Sequence, residues 1–186
     1  MSQFEFVTVM VSMILALTIG RLLMTAAFLA KNRHRVVPFP PFYLWLAALF
    51  EILILHWWSL WDLRVVEWTF AAFIYVLLGP TVIFFIAGLL SYDDGSDDII
   101  DLETHYHSVQ PVVMPLTVVY VLALWFDGPL LIGQRVFGPV GLMHIPLLAI
   151  CVIGFVSRSK RTHLAGAVAV IAVVTTVIFI RAVSME

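Results

Sequence analysis

The segment Phe4–Ala30, FEFVTVMVSMILALTIGRLLMTAAFLA, decides the fold class of this chain because it is long and almost wholly apolar. A helix needs about 20 apolar residues to cross the hydrocarbon core of a membrane, and this run exceeds that length. The segment lacks the positive amino-terminal region of a secretory signal peptide, carries Glu5 there instead, and contains Arg21 in its middle. We therefore interpret it as a retained transmembrane helix.

The composition of the whole chain extends this interpretation. Of its 186 residues, 62% are hydrophobic and only 12% are charged, and the mean hydropathy is +1.05. Soluble domains carry about 25% charged residues, so the sequence predicts an integral membrane protein in the lipid bilayer. We expect a single all-α domain over residues 1–186, a bundle of six transmembrane helices. The six apolar segments are 4–30, 42–61, 69–91, 111–126, 137–156 and 164–183.

The positive charges divide unequally between the two sides of such a bundle. Two connections are basic, Lys31–Arg35 and Arg158–Arg161, whereas the opposite side has only Arg64, Arg135 and Arg181. By the positive-inside rule, the basic connections lie in the cytoplasm and both termini lie outside.

The third connection is the only substantial segment predicted outside the membrane. Within it, Ile99, Leu102, Tyr106 and Val109 recur at a spacing of three to four residues. This spacing predicts a short amphipathic helix on the cytoplasmic side, between the third and fourth transmembrane helices.

Two charges fall inside predicted helices at matching depths. Arg21 lies ten residues before Lys31 and Glu51 lies nine residues after Phe42, which places both about 14–15 Å from the cytoplasmic edge. An unpaired charge near the bilayer centre costs at least about 2.5–3.5 kcal/mol, and an ion pair would avoid that cost. The pair is either structural or faces a water-filled cavity and contacts an ion or substrate. Trp58 shares the helix face of Glu51 and joins these candidate contact residues.

Two histidines also lie at matching depths in different helices. His56 is six residues before Asp62 and His144 is nine residues after Arg135, so both lie about 9–14 Å below the outer surface. Such a pair could bind a haem or a metal, relay protons, or form ordinary hydrogen bonds within the packed bundle.

The third predicted helix contains a backbone break at LLGPT, residues 77–81. Pro80 has no N–H to donate to the carbonyl of Val76, and a free carbonyl inside a membrane must find another partner. Because such breaks often line cavities, we predict that Gly79 and Pro80 form part of a cavity wall.

Several functional classes lack support in the sequence. The net charge of −2 argues against a nucleic-acid partner, and the single cysteine, Cys151, offers neither a disulfide framework nor a cysteine metal site. No phosphate-binding loop, nucleophile elbow or zinc-protease motif is present in the sequence. We expect no enzyme activity, no metal site and no required cofactor.

Four segments carry a resemblance to a group of small, uncharacterised bacterial multi-pass membrane proteins. The segments are FEFVTVMVSMILALTIGRLL (4–23), HWWSLWDL (56–63), LLGPTVIFFIAGLL (77–90) and SRSKRTHLAG (157–166). Proteins of that group often carry an amide shortly before the tryptophans, where this chain has Leu55 and His56. The resemblance implies a bacterial inner-membrane location and supports six spans, but it transfers no activity and no functional residue.

The leading functional hypothesis is a small channel or transporter for a proton, an ion or a small solute, assembled as a homo-oligomer. In it, Glu51 contacts the ion, Arg21 is its counter-charge, and the Gly79–Pro80 break lines the path. One alternative is a non-catalytic accessory or scaffold subunit that binds another membrane protein through the acidic loop Asp93–Glu103. A third is a haem-bearing redox subunit that uses His56 and His144.

Overall fold

The computed structural model of this chain describes residues 2–92 and 99–183. Within these ranges the protein is a helical bundle, which confirms the predicted all-α class. Its helices are α1 (Gln3–Lys31), α2 (Pro40–Ser59), α3 (Phe70–Leu90), α4 (Leu102–Ile132), α5 (Pro139–Leu142), α6 (His144–Val156) and α7 (Lys160–Val183). Two 3-10 segments, Arg33–Arg35 and Leu60–Val65, lie in the connections. Two short strands, β1 (Val36–Val37) and β2 (Ile100–Asp101), pair in parallel.

Five helical segments of the described chain are long and apolar enough to cross a membrane. They are Gln3–Lys31, Pro40–Val65, Phe70–Leu90, Leu102–Ile132 and Lys160–Ile180. Helix α6, in the fifth predicted span, has 13 residues. At 1.5 Å per residue it is about 20 Å long, less than the roughly 30 Å of the hydrocarbon core. The helices are thus those of a membrane protein, and the sixth span remains a prediction.

The ends of the long helices follow from local sequence. Helix α1 begins with a capping box, in which Ser2 and Glu5 each accept a hydrogen bond from the other's backbone N–H. Asp101 caps α4 by accepting hydrogen bonds from the backbone N–H groups of Glu103 and Thr104, at 3.0 and 3.2 Å. The Thr104 hydroxyl also donates to Asp101, and mainly for this reason the pKa of Asp101 lies below its usual value.

The amphipathic helix expected between the third and fourth spans is not a separate element in the described chain. Leu102 and Tyr106 are buried, as their spacing predicts, but they belong to the first turns of α4, which continues unbroken into the fourth span. The helix passes through Pro111 and Pro115, which lack N–H donors. Burial of the neighbouring Met114 against the bundle stabilises the helix across this point. Most of the acidic loop, residues 93–98, lies outside the described residues.

Contacts between helices define two ends of the bundle. At one end, which we call the basic end, the Phe39 ring lies 5.4 Å from that of Tyr106, and Lys160 Nζ lies 5.8 Å from the Phe39 ring. At the other, which we call the tryptophan end, α4 places Trp125 against His144 at the start of α6. Helix α6 therefore runs antiparallel to α4 and returns the chain to the basic end, where α7 begins.

Candidate functional site

A cavity of about 240 Å³ lies at the tryptophan end among α2, α4, α6 and α7. Asp62, Gln134 and Arg135 are exposed at its mouth, and Trp45 and Cys151 are buried in its lining. Most of the lining is aliphatic. The polar and aromatic side chains between the mouth and the buried part are those of His56, Ser59, Thr117, Tyr120, Trp125, Asp127 and His144.

His56 lies in the cavity wall and forms a buried hydrogen-bonded pair with Tyr120. Its Nδ1 lies 3.1 Å from the Tyr120 hydroxyl, and both residues are buried. A Cβ added at Gly79 would lie 3.0 Å from Cε1 of His56 and 3.8 Å from the Tyr120 ring. The missing side chain at Gly79 thus provides the space in which the His56 ring meets Tyr120.

The predicted backbone break at Gly79 and Pro80 lies next to the cavity wall and not in the cavity lining. Gly79 and Pro80 are both buried within α3, which continues through them without interruption. The α3 residue in the cavity lining is Val76, and Gly79 lies behind His56. The break therefore positions a wall residue and does not line the cavity itself.

Asp127 is the residue of the cavity that the sequence analysis missed most clearly. It lies seven residues after Tyr120 on the same face of α4 and is half-buried in the lining. Among the described side chains, those of residues 2–92, 99–138 and 141–180, no group makes a hydrogen bond or an ion pair with its carboxylate. Tyr75 is nearby, but its hydroxyl donates to the Ala123 carbonyl at 2.7 Å. The cavity therefore holds a carboxylate with open hydrogen-bonding capacity.

His144 is the first residue of α6 and lies in the lining of the same cavity. Its ring stacks on Trp125 at a centroid distance of 6.0 Å and an angle of 7°. The Trp125 indole N–H donates to the Val136 carbonyl at 2.8 Å, which holds the ring in place. The structure thus brings the two predicted histidines into one cavity, each with its own ring partner. The described residues include no cluster of three or more potential metal ligands, and the haem interpretation stays a prediction.

The other predicted site residues lie outside this cavity. Glu51 is half-buried, lines a separate groove between α1 and α2, and accepts a hydrogen bond from Thr175 Oγ1 at 3.1 Å. Arg21 is half-buried on α1, and its pairing with Glu51 stays a prediction. Trp58 is 44% exposed and belongs to neither lining.

A second polar cluster occupies the basic end of α4, and we call it the basic-end cluster (Tyr106, His107, Gln110, Ser157 and His163). The Gln110 amide donates to the carbonyls of Gly154 and Ser157, at 2.7 and 2.8 Å. His163 Nε2 lies 2.9 Å from the Ser157 carbonyl, so this nitrogen carries the proton, and Nδ1 then accepts the Tyr106 hydroxyl at 2.8 Å. Gln110, Tyr106 and His163 are buried. These groups join α4 to the connection between α6 and α7.

A signal for the missed residues exists in the sequence. Five polar residues of α4 recur at spacings of three, four or seven and share one helix face: Tyr106, Gln110, Thr117, Tyr120 and Asp127. The predicted fourth span stopped at residue 126, which left Asp127 in a loop, whereas α4 extends to Ile132.

Comparisons with known proteins add no second source of information about the site. No family model, no curated protein and no solved structure matches this chain. Its function must therefore be inferred from the chemistry of the cavity.

Proposed function

We propose that the protein is a small integral membrane channel or transporter for a proton, an ion or a small solute, and that the transported species binds in the cavity at the tryptophan end. The observation that carries this proposal is Asp127, a half-buried carboxylate in the lining that makes no hydrogen bond or ion pair with any described side chain. A carboxylate within a membrane-spanning helix is costly, so it persists where it faces water, a partner or a transported species.

Asp127 is a stronger candidate than Glu51 for the group that contacts the transported species. The Glu51 carboxylate accepts a hydrogen bond from Thr175, and its groove is lined mainly by apolar residues. Asp127 instead shares its cavity with the His56–Tyr120 pair and with Thr117, which are groups able to donate or accept hydrogen bonds. A transported species can therefore meet Asp127 at one level of the cavity and the His56–Tyr120 pair about 10 Å further along α4.

The proposed topology has six crossings, with α5 and α6 together forming the fifth. Two contacts support it: α6 begins beside Trp125 of α4 and reaches Gln110 at its other end. These positions on α4 are fifteen residues apart, or about 22 Å along the helix. This topology puts both basic connections on one side, the cytoplasmic side of a bacterial inner membrane, with both termini outside. A homo-oligomer would supply lipid-facing apolar helices with additional partners.

Flux measurements on purified protein in liposomes test the proposal. Proton flux is followed with an entrapped pH-sensitive dye, and sodium, potassium and tetramethylammonium flux with ion-selective electrodes. We expect flux of at least one of these cations in the wild type and a loss of about tenfold or more in Asp127→Asn.

The matched control is Glu67→Gln, which neutralises an exposed carboxylate in the connection between α2 and α3, outside the cavity. Glu67→Gln should transport as the wild type does, and Glu51→Gln tests the group predicted from the sequence. Folded protein that moves none of these cations would contradict the cation-transport form of the proposal and favour the accessory-subunit alternative.

A further inference from the structure

We infer that the ligand of this cavity is a small organic cation, an ammonium group that carries alkyl substituents. The inference rests on the proposed function for its biological meaning, but it concerns the equilibrium specificity of the cavity and is tested separately.

The charge of the ligand follows from the charges in the lining. At the mouth, the exposed side chains of Asp62 and Arg135 have opposite signs and offset each other. Apart from these two exposed residues, Asp127 is the one carboxylate in the lining, and no lysine or arginine with a described side chain joins it there. A cation is therefore favoured inside the cavity, and an anion is disfavoured.

The composition of the lining also favours an organic cation over a metal ion. Calcium takes six to eight oxygen ligands, and magnesium binds with a near-ideal octahedral shell. The other side-chain oxygens of the described lining are those of Ser59, Asp62, Thr117, Tyr120 and Gln134. Thr117 and Tyr120 lie about 15 and 10 Å from Asp127 along α4, and the rest of the lining is dominated by aliphatic side chains. Alkyl groups on an ammonium nitrogen contact such a surface favourably, whereas a hydrated metal ion would lose its water without replacement.

Aromatic rings supply the remaining recognition element. Tyr120 and Trp125 lie in the lining on the same helix as Asp127, and Trp125 is held by its hydrogen bond to the Val136 carbonyl. The negative face of an aromatic ring attracts a cation, and tryptophan does so most strongly. A carboxylate with aromatic rings in an aliphatic cavity is the combination that suits an alkylated ammonium group.

Size sets the upper limit on the ligand. The cavity volume of about 240 Å³ lies just below the range of roughly 300–1,000 Å³ that is usual for small-molecule sites. The ligand should therefore be a compact amine rather than an extended one.

Choline and its neutral isostere 3,3-dimethylbutan-1-ol test the inference, because they have nearly the same shape and differ in charge. Binding is measured by isothermal titration calorimetry on the full chain in maltoside detergent. We expect the wild type to bind choline at least about tenfold more tightly than the isostere, and Asp127→Asn to remove this difference. Glu67→Gln, which is outside the cavity, should retain it.

Equal affinity for the two probes, or no choline binding by folded wild type, would overturn the inference. The wild-type ratio decides the matter even where Asp127→Asn fails to fold. Persistence of the full preference in a folded Asp127→Asn variant would also overturn it. Choline binding without cation flux in liposomes would contradict the cation-transport form of the proposed function and leave this inference intact, and flux without choline binding would do the reverse.

The ammonium group could come from a free amine or from a lipid headgroup. Nanodiscs of phosphatidylcholine and of phosphatidylglycerol distinguish the two sources. If the headgroup is the ligand, soluble choline should bind at least about tenfold more weakly in the first than in the second. Equal affinity assigns the site to a free amine.

Discussion

The two ends of α4 carry similar polar residues, but these residues differ in how much of their hydrogen-bonding capacity is used. At the tryptophan end, the Tyr120–His56 pair lies beside a cavity, and the carboxylate of Asp127 has no hydrogen bond or ion pair with any described side chain. At the basic end, the Tyr106–His163 pair adjoins Gln110 and Ser157, whose hydrogen bonds are made within the protein. Residue type alone therefore does not separate a binding site from a structural contact. The difference is whether the hydrogen-bonding capacity is already used.

The basic-end cluster has a clear structural task. The last carbonyls of a helix have no partner within it, and those at the end of α6 are met by the Gln110 amide from α4. The carbonyl of Ser157, which follows α6, accepts hydrogen bonds from both Gln110 and His163. The cluster thus provides hydrogen-bond donors for carbonyls at the end of α6 and ties α4 to the connection between α6 and α7.

Replacing Gln110 with leucine should give the largest loss of stability. The buried Gly154 carbonyl loses its donor, whereas the Ser157 carbonyl keeps the one from His163, and a buried unsatisfied group costs about 1–3 kcal/mol. We expect a loss of about 2–3 kcal/mol, measured by thermal unfolding in detergent with circular dichroism. Choline affinity, measured on the folded fraction, should stay near that of the wild type. A larger effect on choline binding than on stability would contradict the assignment of a structural role to the basic end and of ligand binding to the tryptophan end.

Removing the tyrosine hydroxyl from each pair sharpens the comparison directly. Tyr106→Phe leaves His163 Nδ1 buried without a partner, so we expect a loss of about 1–2 kcal/mol. Tyr120→Phe removes the equivalent bond to His56, but the adjacent cavity can admit water, and the loss should be below about 1 kcal/mol. Unfolding midpoints of the two variants under the same conditions provide the test. The opposite order would show that the cavity excludes water.

Gly79→Ala tests how closely α3 supports the cavity wall. The added methyl group would lie 3.0 Å from His56 Cε1, so the imidazole must shift by a few tenths of an ångström. We expect a loss of stability of about 1 kcal/mol and weaker choline binding. Gly88→Ala is the matched control, because a Cβ at that position of the same helix meets nothing within 4 Å. Similar effects of the two substitutions would argue against a supporting role for Gly79.

Asp101→Ala should produce the smallest effect, with a defined pH dependence. The pKa of Asp101 is lowered in the folded protein, so its contribution is present above the pKa of the unfolded chain. That contribution is lost as the pH falls through the lower, folded-state pKa. Loss of the cap should cost about 0.5–1 kcal/mol at pH 7. The difference in unfolding temperature between wild type and variant should be smaller at pH 3 than at pH 7. An equal difference at both values would mean that the carboxylate charge is not what stabilises the cap.

Local patterns in the chain predicted the helices well because length and hydropathy are local properties. The segments 4–30 and 69–91 correspond closely to α1 and α3, with boundaries that differ by one residue. The fourth segment, 111–126, was too short, because α4 begins at Leu102, before both prolines of that segment, and ends at Ile132, beyond Asp127. Burial of Tyr106, Val113 and Met114 against the bundle stabilises a longer helix than the sequence pattern predicted.

The candidate site was predictable only in part. The depth argument selected His56 and His144, and both line one cavity in the structure. The same argument could not select Tyr120, because a tyrosine in an apolar helix is often a packing residue. It also could not show that Glu51 accepts a hydrogen bond from Thr175, which lies 124 residues further along the chain.

By itself, the sequence determined that this protein is helical, apolar and suited to a membrane, because the free energy of burying apolar residues depends mainly on composition and on periodicity along the helix. Only the tertiary structure decided which polar groups are already bonded and which are open. That outcome depends on contacts between helices distant in sequence, such as Gln110 with Gly154 and His56 with Tyr120. Local spacing cannot specify these contacts, because it gives the face of a residue and not the helix that packs against it.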